Sequence, residues 1–257
     1  MTRTISVITA VHGPSAHFLP DAYRSLCEQE LPDGWAWQWV IQEDGTTDAV
    51  SEFVPDDPRV SFAQGRRGGA AVARTLGLSR ATGEFIKVLD SDDILPPGTL
   101  ARDLAILLEN PDIGWTTSSA LDLLPDGSTV AFDDPPSGPI EQGSVLPHWK
   151  AHNYLPPVIP GSLCMRRELV FALGGWMALP ASEDTGLLLA LNAVSRGWFI
   201  RETGLLYRKW PGQSTGQAAH SDSEEREARA SVAETRALAL AELAQWRFTG
   251  SASAVSG

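Results

Sequence analysis

Lysine is scarce in this chain. Of its 20 basic residues, only Lys87, Lys150 and Lys209 are lysines and the rest are arginines, a compositional bias rather than a functional sign. Cysteine is scarcer still. Cys27 and Cys164 stand far apart, with no CxxC and no metal-ligand spacing, so a disulfide framework and a cysteine metal site are both excluded. Two reduced thiols in a cytosolic protein are predicted. No apolar run approaches the roughly 18 residues needed to span a bilayer; Leu187 to Leu191 is typical of what there is. Met1-Thr2-Arg3 leads straight into an apparent strand, so no signal peptide and a cytoplasmic location are predicted. No internal repeat is visible. The first strand is not followed by GxGxxG, and no GxxxxGK[ST] occurs, which excludes a dinucleotide fingerprint and a P-loop. Positive charge is in deficit: the net charge is −12 and the pI about 4.8, which argues against nucleic acid or an anionic membrane surface as partner. A local basic patch is left at Arg66-Arg67.

What is present is an ordinary soluble composition, 43% hydrophobic and 20% charged over 257 residues, enough for one large domain or two small ones. Thr4 to Val11 is apolar with little alternation, as a buried parallel strand would be. Helix at 21–29, strand at 37–42, short helix at 48–53, strand at 60–63, helix at 70–80, strand at 85–89 and helix at 97–109 follow. This alternation predicts an α/β fold with a doubly wound, mainly parallel sheet. After Pro111 the texture changes. Strands are predicted at 115–123, 162–165, 198–201 and 205–210, and helices at 167–173, 183–195 and 223–246. Ser182 is the predicted N-cap of the helix that starts at Glu183. Asp133 to Pro139 reads as a loop, His148 to Pro160 as an irregular lid or pocket wall, and Thr249 to Gly257 as a disordered tail.

Three strand ends carry polar groups: Thr9–His12, Glu43–Asp48 and Asp90–Asp93. In a parallel sheet they converge on one edge, where open α/β sheets bind ligands. The stretch 83–93 is central. Phe85 to Leu89 is apolar and β-biased, and it breaks abruptly into Asp90, Ser91, Asp92 and Asp93. Asp90 and Asp92 are two apart and so point to one side of a near-extended backbone. Such carboxylates repel unless neutralised, and hard oxygen donors suit Mg²⁺ or Mn²⁺ with substrate phosphates. A solvated acidic turn before the next helix is the simpler alternative.

In order along the chain, ISVITAVHG, EDGTTD, GGAAVARTLG, ATGEFIKVLDSDD, GSLCMRRELVFALGGW and the SED of 182–184 resemble the GT-A glycosyltransferases of family two, inverting enzymes that use nucleotide sugars. The resemblance spans roughly residues 4 to 215. It implies a GT-A, Rossmann-like sheet: a nucleotide-sugar-binding half at 1–110, an acceptor-binding and catalytic half at 111–220, and a C-terminal helix and tail at 221–257. It implies that Thr9, Ala10 and Val11 line the base pocket and that Asp44 accepts the imide N–H of uracil. Arg67 and Gly69 would lie beside the base and diphosphate. Asp90 would bind ribose, Ser91 would belong to the same substrate-binding turn, and Asp92 would ligate Mn²⁺ or Mg²⁺. Of the acidic pair Glu183 and Asp184, Asp184 would be the general base that takes the acceptor's hydroxyl proton. Each has a plainer reading: an Asx turn at Asp44, a solvated loop at Arg66-Arg67, and helix-dipole stabilisation at Glu183 and Asp184.

The sequence departs from the family pattern in places. Glu43 replaces the first of two aspartates, and Arg67 and Thr75 stand where asparagines are frequent. Trp210 occupies the place of a metal-binding histidine in the segment Tyr207 to Ser214, with His220 as a remote substitute. The expected donor is a UDP-sugar and the expected acceptor a hydroxyl of a small molecule or natural product. A glycosyltransferase for envelope glycans, a nucleotidyltransferase and a non-catalytic nucleotide-sugar-binding protein are the alternatives. Trp149, Tyr154 and Trp176 could stack on a sugar or planar aglycone, or simply fill the core.

Overall fold

The computed structural model describes residues 2–213 and 223–250, with side chains through residue 244. Four strands run parallel at one side of the sheet: β1 (Arg3–Val11), β2 (Trp35–Asp44), β3 (Val60–Gly65) and β4 (Phe85–Val88). Beyond β4 come β5 (Ile113–Leu123), β6 (Thr129–Ala131), β7 (Gly138–Ile140), β8 (Cys164–Arg166) and β9 (Arg196–Arg208). The spatial order is β3-β2-β1-β4-β8-β5-β9-β7, with β6 paired to β5. Only β8, β7 and β6 run against the rest, because β8 is antiparallel to both β4 and β5. The carboxyl ends of β1, β2, β4, β5 and β9 therefore share one edge.

Alternation along the strands divides the core in two. Trp39 and Ile41 of β2 face one way, packing with Leu19 and Leu26 of α1 (Leu19–Cys27) and Leu100 and Leu104 of α4 (Thr99–Glu109). Between these two helices in the chain lie α2 (Asp48–Ser51) and α3 (Ala70–Gly77). Val40 faces the other way, with Ala71 of α3, Val170 of α6 (Arg167–Ala172) and the leucines of α7 (Glu183–Val194). Residues from Gly186 to Ala193 are all buried, since α7 lies beneath a further helix, α8 (Ser223–Gly250), which covers it with Ala230, Ala233 and Ala237. A helix apolar all round needs such a cover. One charged pair is sealed inside: Lys87 Nζ meets Asp103 Oδ2 at 2.8 Å and donates to Ser162 O at 2.7 Å, tying β4 to α4 and to the turn before β8.

Several sequence expectations need correction. The strands expected at 198–201 and 205–210 are one strand, β9, whose pairing with β5 shifts register around Ser118–Ala120. Bulges there absorb the polar residues between Arg201 and Gly204 without ending the ladder. The expected loop 133–139 ends in β7, an edge strand, where Pro139 is tolerated. The expected irregular stretch 148–160 begins inside a helix, α5 (Val145–Ala151), because Val145 and Trp149 are buried one turn apart. Ser182 precedes α7 but makes no capping bond, since its backbone is left-handed (φ 60°) rather than extended. The last helix continues through Gly250, so Thr249 and Gly250 are not tail. His220, Ser214 and residues 251–257 lie outside the described residues. Among those described, no helix is long and apolar enough to cross a membrane. Cys27 is exposed and Cys164 buried, and neither is paired.

Candidate active site

A cleft of about 640 Å³ opens at the shared carboxyl edge. Ala10 and Val11 at the end of β1 line it, as do Asp44 at the end of β2, Arg67 and Gly69 before α3, and Asp90, Ser91 and Asp92 after β4. Glu183 and Asp184, at the start of α7, close it from the other half. Thr9 does not line the cleft. It is fully buried; its hydroxyl donates to Leu89 O at 2.7 Å and accepts from Trp39 Nε1 at 2.8 Å. A polar residue one place before the strand's mouth faces the core, by simple alternation.

Each turn at the edge is pinned by a carboxylate. Glu43 Oε1 accepts Thr47 N–H at 2.8 Å and the Thr47 hydroxyl at 2.6 Å, which shapes the turn after β2. Asp44 Oδ1 accepts the N–H groups of Gly68 and Gly69 at 2.6 and 2.9 Å. Gly69 sits at φ 86° at the head of α3, a conformation that favours glycine. Arg67 is exposed beside it.

The turn after β4 is held differently. Arg208 at the end of β9 donates its Nε to Asp92 O at 2.7 Å, its backbone N–H to Asp93 Oδ1 at 2.9 Å and Nη2 to Asp21 Oδ2 at 2.9 Å. Ser91 is buried, its hydroxyl 2.8 Å from that of Ser15. Trp210 donates its indole N–H to Asp92 Oδ2 at 2.6 Å. Its ring stands edge-on to Phe18, with centroids 5.2 Å apart, and packs so closely on Gly212 that a Cβ there would strike it. Burial pushes the Asp92 carboxyl up, Asp90 adds to the rise, and the indole N–H opposes it. Burial raises Asp93 well above the ordinary range.

Arg74 joins the two halves of the cleft. From α3 it reaches Asp90 Oδ1 at 2.5 Å with Nη2 and Glu183 Oε1 at 2.6 Å with Nη1. Burial opposes its charge, but Asp90, Glu183 and Asp184 outweigh that and hold its pKa above the usual arginine value. Sequence reading missed Arg74. Its signal was a lone cation in the alanine-rich run AAVARTLG, on the same buried face as Ala71. Glu183 is thus engaged by a cation, whereas among the described residues Asp184 accepts from Thr185, whose N–H lies 2.6 Å from its Oδ1 and whose hydroxyl lies at 3.4 Å. Burial, reinforced by Glu183 and opposed by Arg74, raises Asp184 to about 6.

Residues 6–120 match the model of Glycosyl transferase family 2. The match covers less than half of the chain. The family 2 segment takes in β1 to β4 and most of β5, hence Asp44, Arg74, Asp90 and Asp92, and stops before Glu183 and Asp184. TuaG of Bacillus subtilis, named as a glycosyltransferase of teichuronic acid biosynthesis, is 31% identical over 110 residues, 41% of this chain and 42% of that protein. Glycosyltransferase GlyG of Streptococcus pneumoniae is 32% identical over 100 residues, 37% of this chain and 32% of that protein. The match therefore spans less than half of either relative. The crystal structure of S. aureus TarS 1-349 in complex with UDP-GlcNAc superposes with a TM-score of 0.64 at 19% identity, covering 84% of this chain and 61% of that one. That likeness is one of fold, and it reaches into the half beyond residue 120.

The cleft's donor set accommodates a divalent cation of the oxygen-loving kind. Asp92 keeps Oδ1 beside the Oδ2 that Trp210 occupies, and the rise in its pKa is what a nearby cation would relieve. Among the described residues no group of three or more His, Cys, Asp or Glu side chains forms a cage. One or two carboxylates sharing the ion with substrate phosphates is the arrangement Mg²⁺ commonly takes.

Proposed function

We propose that this chain is an inverting glycosyltransferase that moves a sugar from a UDP-sugar to an acceptor hydroxyl. The observation that carries the reading is the meeting, in one cleft, of the strand-end carboxylates Asp44, Asp90 and Asp92 with a separate carboxylate, Asp184, raised to about 6. TarS 1-349 has been crystallised in complex with UDP and with UDP-GlcNAc, which supports a uridine donor here.

Ala10 and Val11 bound the base pocket. Asp44 spends one oxygen on the Gly68-Gly69 loop and offers the other to the uracil imide N–H. Arg67 and Gly69 flank the base and diphosphate, and Asp90, fixed by Arg74, meets the ribose. Asp92 would hold Mn²⁺ or Mg²⁺, which when bound offsets negative charge on the departing UDP. Asp184 takes the acceptor's proton as its oxygen bonds to the anomeric carbon. The bond from that carbon to the diphosphate oxygen breaks, and its electron pair leaves with UDP. One displacement with one base inverts the anomeric centre. A base with a pKa near 6 is both ionised and adequately basic at neutral pH.

For the acceptor, the names of the relatives favour a cell-envelope glycan over a diffusible natural product: teichuronic acid for TuaG and O-antigen for RfbC of Myxococcus xanthus. The test is UDP release from UDP-GlcNAc and other UDP-sugars with Mn²⁺, with and without a panel of glycan and small-molecule acceptors, and with the product's anomeric configuration read by NMR. Acceptor-dependent release with inversion is expected. Release of pyrophosphate would point to nucleotidyl transfer, tight binding without turnover to a non-catalytic binder, and retained configuration would sink the single-displacement mechanism.

A further inference from the structure

The cleft extends past Asp184 into a recess of about 50 Å³ between α7 and α8. Tyr154, Ser182, Thr185, Arg226 and Arg229 line both the recess and the main cleft, so the two are continuous, and Ser182 and Thr185 flank the catalytic candidates in sequence. Two arginines three apart on α8 bring positive charge to one wall. Arg229 is buried and pairs with Glu225 at 3.6 Å. Arg226 is half-buried, donates Nη2 to Asn153 O at 2.7 Å, and stands 5.6 Å from the centre of the Tyr154 ring. In a chain of net charge −12, two guanidiniums facing one recess are not explained by a general surplus of cations.

The backbone marks the same place. Among the described residues the non-glycine residues with positive φ are Asn153, Tyr154 and Ser182, at 52°, 63° and 60°. Two of them line the recess and the third is held by Arg226. Such conformations cost energy and persist where surrounding contacts enforce them, which happens most at ligand sites. Here the contacts are Tyr154 N–H to Trp149 O at 2.8 Å and the Arg226 bond to Asn153.

We infer that this recess is an acceptor subsite for an anionic substituent, a phosphate or a carboxylate, held by Arg226 and Arg229 while Tyr154 bounds the carbon skeleton. Guanidinium forks suit either oxyanion. The inference rests on the glycosyltransferase reading, since it places the acceptor hydroxyl at Asp184 and the anion in the recess beyond it.

The experiment uses the full chain saturated with UDP and Mn²⁺, so that the diphosphate site is filled. Glycerol 3-phosphate, glycerate and glycerol are then titrated by calorimetry. Either anion should bind at least about tenfold more tightly than glycerol, and the stronger of the two identifies the substituent. Arg226→Gln should weaken that anion about tenfold while changing the UDP Kd less than twofold, and the arginine Nε–H signals of the wild-type protein should shift in its NMR spectrum on adding the anion. Anions binding no better than glycerol, or unmoved arginine signals, would overturn the subsite while leaving the donor reading intact. Failure of the wild type to bind UDP at all would overturn the donor reading, and this inference with it.

Discussion

The side of the cleft proposed for the donor and the side proposed for the acceptor are built by different means. On the donor side, the functional side chains follow strand ends in chain order, and hydrogen bonds hold the turns that carry them: Asp44 accepts from the Gly68-Gly69 loop, and Arg208 of β9 binds the Asp92 carbonyl and the Asp93 carboxylate. On the acceptor side, they come from the head of α7 and the face of α8, elements that meet only through tertiary packing. The family 2 match covers the first side and ends before the second. A nucleotide can thus be met by a locally encoded edge while the acceptor is met by an assembled wall, which leaves the wall free to vary. Arg74 is the bolt between them, with one hand on Asp90 and the other on Glu183.

The sharpest break of that contrast is Asp184→Asn. If the base belongs to the assembled side alone, turnover should fall by about 10²–10⁴, the usual contribution of a positioned general base, with UDP affinity unchanged. In the wild type, turnover should rise with pH through about 6 and then level, because only the ionised carboxylate accepts a proton. Stability carries the opposite sign. Folded Asp184 keeps its proton to about 6, whereas a free aspartate titrates at 3.8, so between those values the folded state binds more protons and loses stability as pH rises. Asp184→Asn removes that loss, and thermal melts from pH 4 to 7 should show a variant at least as stable as the wild type at neutral pH. A folded variant with near-normal turnover would transfer the role to Glu183.

Arg74→Met tests the bolt. It strands Asp90 and Glu183 without their cation. Breaking a buried ion pair costs about 3–5 kcal/mol; Asp90 is 32% exposed, so the lower end, about 3 kcal/mol, is expected. Urea denaturation measures it. A loss under 1 kcal/mol would mean that the two sides hold their relative position without Arg74.

The same contrast explains what the sequence disclosed. β1, β2 and β4 are runs buried on both faces and stopped by polar turns, so period and punctuation revealed them, and with them Asp44 and Asp90–Asp93. Thr9 misled for a local reason: its neighbour Ala10 lines the cleft, and alternation turns Thr9 inward to Trp39 and Leu89. On the other side, Arg226 and Arg229 sit in a helix charged along its length, where nothing local separates a cleft-facing arginine from a solvated one. Tyr154 lies in a stretch whose left-handed backbone no composition rule announces. Arg74 was half legible: its isolation in an apolar helix was visible, its two carboxylate partners, 16 and 109 residues away, were not.

Asp44→Ala asks whether the donor edge is as local as it looks. The variant loses both the loop anchor and the contact proposed for uracil, and uridine nucleotides should bind more weakly by about 1–3 kcal/mol, the cost of losing a buried charged hydrogen bond. Cytidine diphosphate, whose ring N3 carries no hydrogen to donate, run alongside separates the two losses. An equal weakening of both nucleotides would assign Asp44 to the Gly68-Gly69 turn alone, and a weakening confined to uridine to the base.

The smallest effect is expected at Trp210, which stands where the resemblance to family two implies a metal-binding histidine. Phe keeps the ring against Phe18 and deletes only the indole N–H. Asp92 Oδ2 then loses the donor 2.6 Å away and becomes available to a cation. A hydrogen bond to a charged group is worth about 1.5–3 kcal/mol, but water replaces much of it in an open cleft. Trp210→Phe should therefore tighten Mn²⁺ in the UDP complex only a few-fold, as read by Mn²⁺ paramagnetic resonance. The UDP Kd without metal should barely move, because the indole faces Asp92 and the ring packs on Phe18 and Gly212 rather than on the base-pocket residues. If Mn²⁺ binds more weakly instead, the indole is orienting Asp92 for the cation rather than competing with it. Trp210 would then count among the parts that build the donor edge.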